Sequence, residues 1–161
     1  NIPNVTVCTM LSLEDTLLPN GGLNIHPTDK APIAEALVKA AIACRYIPAG
    51  DYSGAAEEYS GPLADSFKAN GNTAVVTFRH TGEGLMLTSG ASATEFEVRD
   101  RSGNWVSAAA VPDKNTVTVT AAVDVVTGVR MGYRNRPSIN LYNITGGQSG
   151  YCASPFILTA D

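Results

Sequence analysis

The sequence predicts a mixed fold, in which a strand, a loop and a helix of α/β character are followed by an antiparallel β-sandwich. Residues 5–11 form an apolar, β-branched run without charge, which is typical of a strand buried on both faces of a mainly parallel sheet. Apolar residues then recur at helical spacing. Beyond Gly50, short alternating runs are divided by turn residues. We therefore expect a strand, a loop and a helix of α/β character over residues 1–49, whose sheet is completed by another chain or by the rest of a longer polypeptide, and a β-sandwich domain over residues 50–161.

The predicted helix follows a glycine-rich loop. Thr28 can cap it, Asp29 suits its positive first turn, and Pro32 comes early enough to leave the hydrogen-bond ladder intact. We expect it to end near Tyr46, ahead of Pro48. The positions expected to form its apolar face are Ile33, Leu37, Ala40, Ala41, Cys44 and Ile47.

The predicted strands are short and have no helices between them, which favours an antiparallel sandwich. The turns RSGN and PDKN are expected to join neighbouring strands as hairpins. The runs lie at residues 73–78, 84–87, 94–100, 104–111, 115–120 and 128–134.

Composition excludes several classes of partner. The 161 residues are 44% hydrophobic and carry a net charge of -4, which suits a folded domain. The 11 basic residues are scattered, so we expect no nucleic-acid partner. No apolar run reaches the ~20 residues that a membrane helix needs, so no membrane partner is expected. The sequence has no metal-ligand motif, and we expect neither a metal nor a cofactor.

The three cysteines are too few and too far apart for a disulfide framework. We expect Cys8, Cys44 and Cys152 to be small buried residues, with one disulfide as the alternative. Two glycosylation sequons begin at Asn4 and Asn143 and favour a secreted setting, so the expected location is secreted or periplasmic.

His26 lies in the loop between the predicted strand and the predicted helix, where open α/β sheets place reactive groups. It could be a general base, or it could simply pack against the start of the helix. A carboxylate would orient a catalytic imidazole. Glu14 and Asp15 open the same loop; Asp15 is slightly favoured because its shorter side chain holds geometry better. Asp29 is explained more simply by the helix dipole.

Other candidates are weaker. His80 ends a predicted strand before a Gly-x-Gly turn and is interpreted as a turn or interface residue. Neither a Gly-x-Ser-x-Gly elbow nor a Gly-Asp-Ser motif occurs, and no cysteine has a recognisable activated setting. If His26 is catalytic, its nucleophile lies outside these residues. Four aromatic residues could stack on a sugar ring or pack in the core and rim: Trp105, Tyr133, Tyr142 and Tyr151.

The stretch NIHPTDKAPIAEAL, residues 24–37, resembles a block of the sialate O-acetylesterase family, which comprises carbohydrate esterases of the SGNH-hydrolase superfamily. The resemblance continues in order through nearly the whole chain. The further matching stretches are YSGPL (59–63), VVTFRHTGEGL (75–85), FEVRDRSGNWVSAAA (96–110), GVRMGYRNRPSINLYN (128–143) and ASPF (153–156).

The resemblance implies that residues 1–49 end a flavodoxin-like α/β SGNH hydrolase domain, with His26 as general base. The family's serine, and the Gly and Asn of its oxyanion hole, come from earlier segments. An amino-terminal chain or segment is therefore the implied partner, and an acetylated carbohydrate, either sialic acid or plant polysaccharide, is the implied substrate. Leu23 and Asn24 stand where relatives have an Asp, so Glu14 or Asp15 substitutes, or a dyad suffices. The alternative function is a non-catalytic β-sandwich module that binds carbohydrate or acts as an accessory domain.

Overall fold

The computed structural model describes residues 5, 6, 8, 29–54 and 56–160. The chain divides into two compact units, Asn1–Ser60 and Gly61–Asp161. Across the described ranges, no helix is long and apolar enough to cross a membrane. The strand predicted over residues 5–11 lies mostly outside the described residues, so the α/β sheet stays a prediction.

The helical part of the first unit begins at Ala31. Lys30 is its N-cap residue and makes no side-chain capping bond, but Oδ1 of Asp29 accepts a hydrogen bond from the N–H of Ala31 at 2.9 Å. A cap at Thr28 would start the helix at residue 29, whereas the helix starts at Ala31. The N–H groups of the first turn have no acceptor within the helix, and the Asp29 carboxylate accepts one of them. The segments are α1 (Ala31–Ala41), a π-helical segment (Ile42–Tyr46) and the short α2 (Ile47–Ala49).

The helix passes through Pro48, although the sequence predicted an end near Tyr46. Proline has no N–H to donate to the preceding turn, and the wider π-helical turn directly before it accommodates that irregularity. The end comes at Gly50, which has a left-handed φ of 78° and donates its N–H to the carbonyl of Ile47 at 3.0 Å. The N–H of Asp51 bonds to the carbonyl of Tyr46 at 2.9 Å. These two bonds form a Schellman motif, which ends the helix at the glycine.

The buried face of α1 differs in part from the predicted face. Ala36 and Ala40 are buried, whereas Leu37 is 55% exposed and Cys44 is also exposed. Ala36 was not among the predicted apolar positions. Leu37 and Cys44 were among them, and they lie on a neighbouring stripe of the helix that is open.

The second unit consists of antiparallel sheets, which is consistent with the predicted β-sandwich. Its sheets have the strand orders β1-β2-β7-β6, β11-β8-β4-β5 and β10-β9-β3. The strands are β1 (Leu63–Asn70), β2 (Thr73–Arg79), β3 (Leu85–Leu87), β4 (Phe96–Arg99), β5 (Trp105–Ser107), β6 (Ala109–Asp113), β7 (Thr116–Thr120), β8 (Gly128–Met131), β9 (Leu141–Thr145), β10 (Gln148–Cys152) and β11 (Phe156–Thr159).

Both predicted hairpins are confirmed, since β4 pairs with β5 and β6 pairs with β7. The single strand predicted over residues 104–111 is wrong, because the chain changes sheets within it. Strand β5 belongs to the sheet of β4, and β6 belongs to the sheet of β7. Between them, the N–H of Ala108 donates to the carbonyl of Phe96 at 3.0 Å. A strand that bends from one sheet to another is a usual way to build the corner of a sandwich.

The core of the second unit lies between the inner faces of its sheets. Val76, Val98, Val117 and Val129 have no exposed surface. These valines alternate with outward-facing neighbours, because successive strand residues point to opposite faces. Aromatic packing joins two of the sheets, since the ring of Phe156 on β11 lies edge to face with Phe78 on β2 (5.7 Å) and with Phe96 on β4 (5.9 Å).

Candidate functional site

The residues predicted to carry catalysis lie outside the described residues. This holds for His26 and Asp15, and also for Glu14, Leu23 and Asn24. Their roles therefore stay predictions, and the structure shows only the helix that follows them.

Asp29 is explained by the helix. Its Oδ1 pairs with the N–H of Ala31 at 2.9 Å, in agreement with the interpretation that this carboxylate serves the helix start.

An apolar groove of about 520 Å³ lies beside the open stripe of the helix. Its lining residues are Thr6 and five residues on successive turns of the helix: Leu37, Ala40, Ala41, Cys44 and Arg45. Val5, which was expected in a buried strand, is 62% exposed. The first unit therefore leaves apolar surface uncovered both at Val5 and on the helix.

Weak hydrogen bonds connect Thr6 and Cys8 to the helix. The hydroxyl of Thr6 donates to the Tyr59 hydroxyl oxygen at 3.4 Å, and the Cys44 thiol donates to the same oxygen at 3.4 Å. Burial raises the pKa of Tyr59. The Cys8 thiol donates to the carbonyl of Ala36 at 3.7 Å. These contacts hold Thr6 and Cys8 beside the helix and present no activated nucleophile.

The three thiols are free. Burial, followed by the nearby Cys44, raises the pKa of Cys8, and burial raises the pKa of Cys152 to about 11. Both shifts oppose formation of the reactive thiolate. Cys44 is exposed and Cys8 is only partly buried, so the expectation that all three are buried holds for Cys152 alone. Within the described part of the chain, no group of three or more His, Cys, Asp or Glu residues could hold a metal ion.

His80 lies just before the turn in which the N–H of Gly84 bonds to the carbonyl of Thr81 at 2.9 Å. It follows β2 in a left-handed conformation with φ 57°, and its carbonyl accepts a hydrogen bond from Nδ2 of Asn143 at 2.9 Å. Asn143 is fully buried. Because a glycan needs a free, exposed side-chain amide, the sequon at Asn143 is incompatible with glycosylation of the folded protein. It therefore gives no support to the expected secreted location.

Two of the four aromatic candidates come together on the outer face of the sheet β11-β8-β4-β5. The guanidinium carbon of Arg130 lies over the ring of Trp105, 4.4 Å from its centroid, and over the ring of Tyr133, 4.5 Å from its centroid. Nε of Arg130 donates to Oε2 of Glu97 at 2.7 Å. Tyr142 lies elsewhere, beside Cys152, where burial raises its pKa.

The sequence analysis did not identify Arg130 or Glu97. Strand alternation could have placed both side chains on the outer face of the sheet, because Arg130 precedes the buried Met131 and Glu97 precedes the buried Val98. Their pairing required knowledge that β8 lies beside β4 with Glu97 opposite Arg130. We call Trp105, Arg130, Tyr133 and Glu97 the aromatic platform.

Comparison with solved structures relates the chain to a known enzyme class. A carbohydrate acetylesterase from Xanthomonas citri superposes with a TM-score of 0.70 at 27% sequence identity. The likeness supports a carbohydrate esterase relationship. It covers 85% of this chain and 30% of the Xanthomonas enzyme. The second unit, Gly61–Asp161, makes up less than two thirds of the 161 residues. A match that covers 85% of the chain therefore extends into residues 1–60.

No protein-family model matches the chain, and no curated protein matches it.

Proposed function

We propose that this chain is part of a carbohydrate O-acetylesterase, to which it contributes the β-rich unit and the general-base histidine, His26. The observation that carries the proposal is the structural likeness to a carbohydrate acetylesterase over 85% of the chain. The resemblance of residues 24–37 to sialate O-acetylesterases supports the same chemistry and favours an SGNH-type serine mechanism. The proposed substrates are acetyl esters of sialic acid or of plant polysaccharide.

In this mechanism His26 transfers protons between a serine and the substrate. The imidazole takes the proton of the serine hydroxyl while the serine oxygen bonds to the acetyl carbonyl carbon. The ester bond to the sugar then breaks, and the imidazolium returns the proton to the departing sugar oxygen. Water, deprotonated by the same imidazole, releases acetate and restores the serine. The serine would come from a segment that these 161 residues do not contain.

A carboxylate would accept the second ring proton of His26 and hold its tautomer. We propose Asp15 for this role, with Glu14 as the alternative and a serine–histidine dyad as the third possibility. Asp15→Asn and Glu14→Gln distinguish them. Loss of an orienting acid can lower kcat by about four orders of magnitude. The variant whose kcat falls steeply therefore identifies the acid, and a near-normal kcat in both variants indicates a dyad.

The first unit supports the proposal that a further chain or segment completes the hydrolase domain. The apolar groove beside α1 and the exposed side chains of Val5, Leu37 and Val38 are surfaces that a folded α/β layer normally covers. This chain corresponds to 30% of the Xanthomonas enzyme, so the proposed partner is the serine-bearing α/β segment.

The decisive test uses the complete assembly, with this chain joined to its serine-bearing segment. His26→Ala is expected to lower kcat/KM for an acetylated sugar by about 100-fold or more, the usual effect of removing a general base. His80→Asn is the matched control, because the chain has two histidines and Asn tolerates the left-handed backbone at position 80. The control should stay within about threefold of the unmodified assembly.

Two results would contradict the proposal. Activity retained in His26→Ala would favour the accessory-module function. Hydrolysis of an acetyl ester by the purified 161-residue chain alone would show that the nucleophile does not come from a missing segment.

A further inference from the structure

The aromatic platform is a fixed arrangement on the outer face of the sheet β11-β8-β4-β5. Arg130 lies directly opposite Glu97 in the strand register, and their ion pair of 2.7 Å is largely shielded, with side chains 15% and 29% exposed. The guanidinium contacts the rings of Trp105 and Tyr133 at 4.4 and 4.5 Å, within the range of cation–π attraction. The pairing with Glu97 therefore fixes the guanidinium between the two aromatic side chains.

The backbone also holds Tyr133 in place. Gly132 has a φ of 66°, and a Cβ there would lie 3.0 Å from Ile139, so the bend before Tyr133 requires glycine. The carboxylate of Glu95 then closes the loop by pairing with Nε of Arg134 at 2.8 Å and accepting the N–H of Ser138 at 3.2 Å. A ring held this firmly loses little conformational freedom when a ligand binds.

Tyr133 is nonetheless 64% exposed, the largest fraction among the exposed large hydrophobic side chains of the described residues. One side of its ring faces the guanidinium, so the exposed surface is the opposite side and the edge. On the same face of the sheet, Ile157 lies opposite Arg130 on β11 and is 51% exposed. The platform therefore offers a flat aromatic surface, and an exposed aliphatic side chain lies on the same face.

Arg130 also has hydrogen-bonding capacity left over. Nε is bonded to Glu97, and among the described residues the two terminal nitrogens are neither hydrogen-bonded nor buried without a partner. They can donate to oxygen atoms of a ligand that extends past the edge of the Tyr133 ring. Exposed Ser107 continues the same row of residues across the sheet and adds a hydroxyl.

We propose that the aromatic platform is a binding site for an uncharged sugar ring of a glycan, separate in role from ester hydrolysis. The apolar face of one sugar stacks on the exposed side of the Tyr133 ring, and Arg130 donates hydrogen bonds only to hydroxyls of the part of the glycan that extends past the ring edge. A neutral ligand is favoured because the positive charges of Arg130 and Arg134 are balanced by the carboxylates of Glu97 and Glu95, with which they form ion pairs. The choice of a sugar rests on the proposed esterase function.

A protein partner fits this surface less well. A stable protein interface needs about 800 Å² on each side with an apolar centre. Apart from Ile157, the residues that share the outer face with the platform are polar or small: Arg99, Ser107, Gly128 and Thr159.

The test uses the fluorescence of Trp105, the only tryptophan of the chain, in the purified 161-residue protein. The probes are xylohexaose, cellohexaose, a galacto-oligosaccharide and sialyllactose, each without acetyl groups. We expect at least one neutral oligosaccharide to shift the emission saturably. Tyr133→Ala should weaken this binding by roughly tenfold, while Tyr133→Phe, which keeps the ring, should bind within about threefold of the unmodified protein.

Val111→Ala is the control and should bind normally, because Val111 is an exposed apolar residue of the sheet β1-β2-β7-β6. Circular dichroism establishes that each variant is folded.

Binding that is unchanged in Tyr133→Ala, or no binding by any neutral oligosaccharide, would overturn the proposal. So would preferential binding of sialyllactose, since that probe is charged. If instead Tyr133→Ala weakens association with the serine-bearing segment, the platform is a protein-docking surface and the sugar assignment is wrong. These outcomes are independent of catalysis, because the probes carry no ester. Failure of the esterase proposal would appear in the His26 experiment.

Discussion

Removal of the Asn143 side chain should destabilise the second unit strongly. This side chain has no exposed surface. Its Nδ2 donates to the carbonyl of His80 at 2.9 Å, and its Oδ1 accepts the N–H of Tyr151 at 2.6 Å. It thus connects β9 to the turn after β2 and to β10. In Asn143→Ala both backbone groups lose these partners.

The expected size of the effect follows from these two bonds. A buried polar group left without its partner costs about 1–3 kcal/mol, so two such groups cost about 2–6 kcal/mol. We expect a loss of about 3 kcal/mol in the free energy of unfolding. For a unit of this size, that loss corresponds to a Tm lower by roughly 12–24 °C.

Urea denaturation followed by Trp105 fluorescence measures this loss, and calorimetry measures the Tm. Asn70→Ala is the matched control, because Asn70 lies exposed on the edge strand β1; its effect should be within about 0.5 kcal/mol. A loss below about 1 kcal/mol in Asn143→Ala, or equal losses in the two variants, would refute the reasoning from buried hydrogen bonds.

Two further predictions concern titratable groups. Hydrogen bonds, chiefly from the backbone N–H of Asn104, lower the pKa of Asp100. A carboxylate with a lowered pKa stabilises the folded state above its unfolded pKa, and this contribution is lost as the pH falls through the folded pKa. Asp100→Asn should therefore lower the urea midpoint at pH 6, with a smaller difference at pH 3; a difference independent of pH would contradict this. The pKa of Cys152 is raised to about 11 and its side chain is buried, so a thiol reagent at pH 8 should label the exposed Cys44 quickly and Cys152 only after unfolding. Rapid labelling of Cys152 in the native protein would show that the thiol is accessible.

Local patterns predicted those elements whose structure depends on neighbouring residues. The hairpins at RSGN and PDKN are present, because turn residues and the alternation of the flanking strands act over a few positions. Strand β1 was missed because its register shifts between Ala64 and Ser66, and a bulge disrupts the alternation by which a strand is recognised. The helix end was misplaced because a π-helical turn accommodates Pro48.

The sequence by itself determined the antiparallel character of the second unit, and its ordered motifs indicated the carbohydrate esterase relationship that the structural likeness supports. It also directed attention to His26 and Asp15, whose roles remain proposals. Only the tertiary structure showed that Asn143 is a buried structural residue and that Arg130 brings Trp105 and Tyr133 together. The contacts of Asn143 with His80 and of Arg130 with Trp105 join residues far apart in the chain, and their geometry depends on which strands become neighbours. Strand neighbours are chosen by the packing of the whole unit, which local periodicity does not encode.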